Sequence, residues 1–120
     1  MIGFRIFLLL VWAVVAAVTL WALASLGLLA GLRTFLGDLA HPWRAQFYAD
    51  LEAHLLLVGA WMIYREPSRG VGILCALLAL LLGALFTLPY VLVASIRAQG
   101  DPKTLLLGQG SARRGAPPPD

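Results

Sequence analysis

Residues 45–64 read AQFYADLEAHLLLVGAWMIY, twenty residues enclosed by Arg44 and Arg65. At ~1.5 Å of rise per residue a helix of this length reaches ~30 Å, the hydrocarbon thickness of a bilayer. The segment is therefore expected to cross a membrane, although Asp50, Glu52 and His54 lie within it. An acidic side chain near the centre of such a helix costs ~2.5–3.5 kcal/mol of insertion on translocon scales. A plain anchor has no reason to carry that penalty, so Asp50, Glu52 and His54 form the candidate intramembrane polar site.

On either side lie two uncharged runs, residues 6–32 and 70–96, each of 27 residues. Both exceed the length a crossing needs. The whole chain of 120 residues is 61% hydrophobic and only 12% charged, too apolar for a water-soluble domain of this size. The expected fold class is all-α: an integral-membrane bundle of three transmembrane helices with a tight hairpin between the second and third. The segments are helix one at 1–32, an interfacial loop at 33–41, helix two at 42–65 and helix three at 69–97. Residues 98–120 form a short interfacial segment and a disordered tail.

Local chemistry sets these bounds. Pro42 suits the first position of a helix, where its missing N–H is harmless. Glu66-Pro67 ends helix two, because the residue before proline is pushed out of the helical region, and Ser68 is placed to cap the next helix. Asp101-Pro102 repeats the pattern of a cap followed by a first helical residue. Ala22-Leu23-Ala24 before Ser25 resembles a signal-peptide cleavage site, yet the apolar run continues to Leu32, longer than a signal core, so helix one is expected to be retained. The single cysteine, Cys75, excludes an intrachain disulfide and reads as apolar filler. A net charge of +3 without a soluble module suits lipid headgroups and not nucleic acid. With three crossings, Arg5, Arg65 and Arg69 share one side, while Arg33, Arg44, Arg97, Lys103, Arg113 and Arg114 share the other. The basic excess makes the tail side cytoplasmic and the N-terminus external.

Helices in lipid associate through close packing and hydrogen bonds. Gly72, Ala76, Ala79 and Gly83 form a small-residue stripe expected to face helix two. On helix two, Phe47, Asp50, His54, Leu57, Trp61 and Tyr64 share a seam, so Asp50 and His54 stack one turn apart while Glu52 points elsewhere. Matching depths along straight helices brings Ser25, Thr87 and Tyr90 to the acidic pair as possible partners. The Leu85 carbonyl, left without a donor by Pro89, falls there as well. Trp12 reads as lipid-facing, and Trp43, Phe47, Trp61 and Tyr64 as interfacial belts.

These polar residues serve a structural or accessory subunit by fixing the bundle or holding a partner, membrane protein or second copy. Alternatively they handle protons or a small solute through Asp50 and His54 in an oligomer. No metal or cofactor is expected, since a bis-histidine site from His41 and His54 would need two chains. No catalytic residue is assigned: zinc-protease, phosphate-loop and nucleophile signatures are missing, and Ser25 with His54 and Asp50 makes a triad only on an assumed facing of helices.

The stretch FLGDLAHPWRAQFYADLEAHLLLVGAWMIYRE, followed by an apolar helix ending LPYVLVASIRAQGD, resembles small bacterial membrane proteins grouped as domains of unknown function. The resemblance covers residues 35–108 and departs at His41, where those proteins more often place Asp or Asn before the proline. It implies a bacterial inner-membrane protein and brings no activity with it.

Overall fold

The computed structural model describes residues 1–108 and is all-helical: α1 (Ile2–Asp38), α2 (Pro42–Arg65), α3 (Arg69–Leu82), α4 (Ala84–Arg97) and α5 (Pro102–Leu107). The last part of the expected tail, residues 109–120, lies outside the described residues.

Among the described residues, α1 is the one helix both long and apolar enough to cross a membrane. Leu8 is its only buried residue. A helix apolar all round needs either a large protein core or lipid around it, and this one has no such core. Gly27 interrupts α1 with φ 75° and ψ 168°, a conformation only glycine adopts without strain, and kinks it there. α2 begins with Pro42 after His41 and ends at Glu66, whose extended backbone (φ −74°, ψ 137°) precedes Pro67. Its 24 residues reach ~36 Å. Ser68 stands at the N-cap of α3, but its side chain makes no capping bond.

The expected third helix, 69–97, is not continuous. Gly83 has φ 55° and ψ −131° and divides it into two helices of 14 residues each. The chain reverses at this glycine. A straight helix would carry Tyr90 ~32 Å from Arg69; instead the Tyr90 hydroxyl donates to Glu66 at 2.5 Å, beside the start of α3. One cavity is lined by Val71 and Cys75 of α3 together with Val93 and Arg97 of α4, so the legs run antiparallel. With the reversal, Met1 lies against Gly100. Both ends of the described chain thus meet at one pole of the fold, where a continuous third helix would have separated them.

The four long helices pack in the order α1, α4, α3, α2. Between α2 and α3, Gly72, Ala76 and Ala79 are buried. A Cβ at Gly72 would stand 2.8 Å from the Ile63 Cα, and one at Gly59 3.2 Å from the Ala76 Cβ, so these backbones approach as closely as glycine allows. Gly83 does not extend this contact: nothing lies within 4 Å of its missing Cβ, and it serves the reversal. Between α1 and α4, Arg5 donates to the Ser95 hydroxyl (3.2 Å) and carbonyl (2.9 Å). Ser95 is fully buried.

Pro89 leaves the Leu85 carbonyl without its helical donor, and the indole N–H of Trp12 supplies one at 3.1 Å. Trp12 is therefore a helix-to-helix link as well as an apolar side chain. Trp12→Phe is expected to lower stability in detergent by about 1–3 kcal/mol, the cost of stranding a polar group away from water. In a Pro89→Ala background, residue 89 regains an N–H for Leu85, and the same substitution should cost less. Equal losses in the two backgrounds, read by thermal melting, would rule out this role.

Candidate functional site

Asp50, Glu52 and His54 lie on exposed positions of α2, although Leu55 beside them is buried. His54 Nδ1 is 2.7 Å from the Asp50 backbone oxygen and 3.7 Å from Asp50 Oδ2. The pair shares a helix face, but that face is open: the side chains are 62% and 68% exposed for Asp50 and His54. Glu52 is exposed too. None of the expected partners joins them. Ser25 is exposed on α1, the buried Thr87 Oγ1 has no hydrogen-bond partner among the described residues, and Tyr90 is engaged with Glu66 and Arg65. The physical reason is the reversal at Gly83, which turns Thr87 and Tyr90 back toward the Arg65 end.

A second cluster forms where α2 ends. Arg65 is 8% exposed. Its Nη1 donates to Glu66 Oε1 (3.2 Å) and to the Tyr90 hydroxyl (3.1 Å), and its Nε donates to the Leu105 carbonyl (2.8 Å). The guanidinium also lies 5.8 Å from the Trp61 ring centroid and 5.6 Å from that of Tyr90, within cation–π range. Trp61 in turn donates from its indole nitrogen to the Leu106 carbonyl at 2.9 Å. These two carbonyls belong to the last turn of α5, where no intrahelical donors remain and the helix dipole favours a cation. Arg65 and Trp61 thereby fasten α5 across the end of the hairpin.

At the other end of α5, Asp101 accepts from the backbone N–H groups of Lys103 and Thr104 and from the Thr104 hydroxyl. The Thr104 hydroxyl, followed by those N–H bonds, holds the Asp101 carboxyl below the usual carboxylate range. Gly108 then turns with φ 77°, and a methyl there would collide with the Arg65 carbonyl.

Sequence reasoning treats Arg65 as the border of a crossing and Trp61 as an interfacial belt residue. The available signals were the Trp61/Arg65 spacing of four and the Asp101-Pro102 helix start; their meeting depends on nonlocal folding. Opposite this cluster, α1 and α2 join through the Arg44–Asp38 ion pair, the Tyr48 hydroxyl on Asp38 (3.2 Å) and an edge-to-face contact of Phe35 with Tyr48. Among the described residues no group of three His, Cys, Asp or Glu side chains is arranged to hold a metal ion. The arrangement positions charges and helix ends. Comparison with protein families, with curated proteins and with solved structures finds no match to this chain.

Proposed function

We propose that this chain is a small integral membrane protein and a non-enzymatic structural or accessory subunit, which receives a partner helix or a second copy on the outer face of α2. The observation that carries the reading is the exposure of Asp50 and His54 at the depth where a crossing α2 would meet lipid. An ionisable group in contact with hydrocarbon is expensive, so such a face calls for cover by protein or water. Inside the fold, by contrast, the Arg5 and Arg65 side chains already have their partners.

In this reading α1 and α2 cross the membrane, while α3 and α4 enter it and return. Each leg reaches ~21 Å, short of the ~30 Å that a crossing needs. The nonhelical backbone at Gly83 is half-buried, and at membrane depth such backbone needs protein or water around it. Arg5, Arg65, Arg69, Arg97 and Lys103 then share one end, against Arg33 and Arg44 at the other. Among the described residues, five basic residues against two support a cytoplasmic side for Met1 and Gly108, in place of the external N-terminus that three crossings imply. A bacterial inner-membrane location rests on the resemblance of residues 35–108.

The test is a photo-crosslinking residue at Leu57, which shares the Asp50/His54 face and is 71% exposed, activated in the native membrane. A protein adduct is expected, and pairing Asp50→Leu with His54→Leu should reduce it about tenfold, equivalent to ~1.4 kcal/mol of association. Adducts with lipid alone would refute the reading. Asp50→Asn and His54→Gln retain hydrogen bonding without titration and should leave the adduct intact. Loss of the adduct in both would favour proton handling by the pair, whose nitrogen and carboxylate stand 3.7 Å apart.

A further inference from the structure

We propose that the cleft between α3 and α4 binds a single-chain amphiphile with an anionic head, a long-chain carboxylate in its simplest form. The reversal at Gly83 leaves a cavity of about 370 Å³ between the two legs, inside the ~300–1,000 Å³ range of small-molecule sites. Its walls are apolar where Val71, Phe86, Pro89 and Val93 face it, and suit a hydrocarbon chain. Its mouth is polar, because Arg65, Glu66, Tyr90 and Arg97 line it.

The charges at that mouth do not balance. Arg65 is matched by Glu66, and the Tyr90 hydroxyl is spent on the same carboxylate. Arg97 is exposed and forms no ion pair or side-chain hydrogen bond with any described residue. One positive charge therefore remains at the opening of an apolar cleft. A guanidinium offers a planar fork that fits a carboxylate through two parallel hydrogen bonds. A ligand that satisfies both parts carries one negative group on an apolar tail. A volume near the lower end of the range favours one chain over two.

Cys75 lines the same cleft and is the only cysteine, so its alkylation reports occupancy. The full chain in uncharged detergent would be treated with N-ethylmaleimide in the presence of palmitate, cetyl alcohol, acetate or phosphatidylglycerol. Palmitate is expected to slow alkylation about fivefold, a difference of ~1 kcal/mol, with little effect from the alcohol or from acetate. Arg97→Gln should abolish the palmitate effect and Arg97→Lys should retain it. Val93→Trp, which fills the cleft, should slow alkylation without any ligand. Equal protection by cetyl alcohol, undiminished protection in Arg97→Gln, or protection by phosphatidylglycerol without palmitate would overturn the proposal. The cleft is separate from the α2 face, so failure of the Leu57 crosslink leaves this test unaffected.

Discussion

Replacing Arg65 by methionine is expected to destabilise the protein by about 3–5 kcal/mol, the usual cost of removing one member of a buried ion pair. Methionine keeps much of the apolar stem and removes the guanidinium. Glu66, whose side chain is 13% exposed, then loses its counter-charge. The Leu105 carbonyl loses its donor, and the cation over the Trp61 and Tyr90 rings disappears. Three consequences fall on one site, and the loss of the Leu105 bond releases α5 from α2. Thermal melting should drop sharply, and proteolysis near Gln99 and Gly100 should accelerate. Glu66→Gln should be milder, since an amide oxygen still accepts from Tyr90 and the Arg65 side chain keeps its bond to Leu105. A variant Arg65→Met that melts with the parent would show that α5 is held by something else.

The second large effect is expected from Gly72→Leu. The nearest atoms to a side chain there are the Ile63 Cα at 2.8 Å and the Ile63 carbonyl at 3.3 Å. A flexible neighbour could turn aside, but main-chain atoms can yield only if α2 and α3 part. Parting them also loosens Gly59 against Ala76, so the loss should reach or exceed about 1–3 kcal/mol, the range for overpacking. Gly31→Leu is the control, because nothing lies within 4 Å of that position. Similar melting of the two variants would mean that the close approach of α2 and α3 does not contribute to stability.

What the sequence makes legible here is local. Pro42 and Glu66-Pro67 mark the ends of α2 because proline chemistry acts on adjacent residues. Asp101-Pro102 marks the start of α5 for the same reason. The stacking of Asp50 and His54 follows from helical spacing alone. Gly83 is different: a glycine among Leu and Ala reads equally as a packing residue and as a turn, and its φ of 55° leaves no mark on composition. Missing that reversal displaces the depth-matched partners beyond it, which is why Tyr90 is found on Glu66 and Arg65 and not at Asp50. Arg65 carries the same lesson. A basic residue at the end of an apolar helix is ordinary, and its role depends on Leu105 and Tyr90, which only the folded chain brings to it.

The reversal at Gly83 is the centre of the account, and the compartments of the chain ends test it most directly. Reporter fusions at the N-terminus and directly after Gly108, in the otherwise intact chain, should report the same compartment, the cytoplasm. Two crossings with a re-entrant hairpin require this, as does the meeting of Met1 with Gly100. Reporters in opposite compartments would mean that residues 69–97 cross as one helix, and would contradict the fold described here.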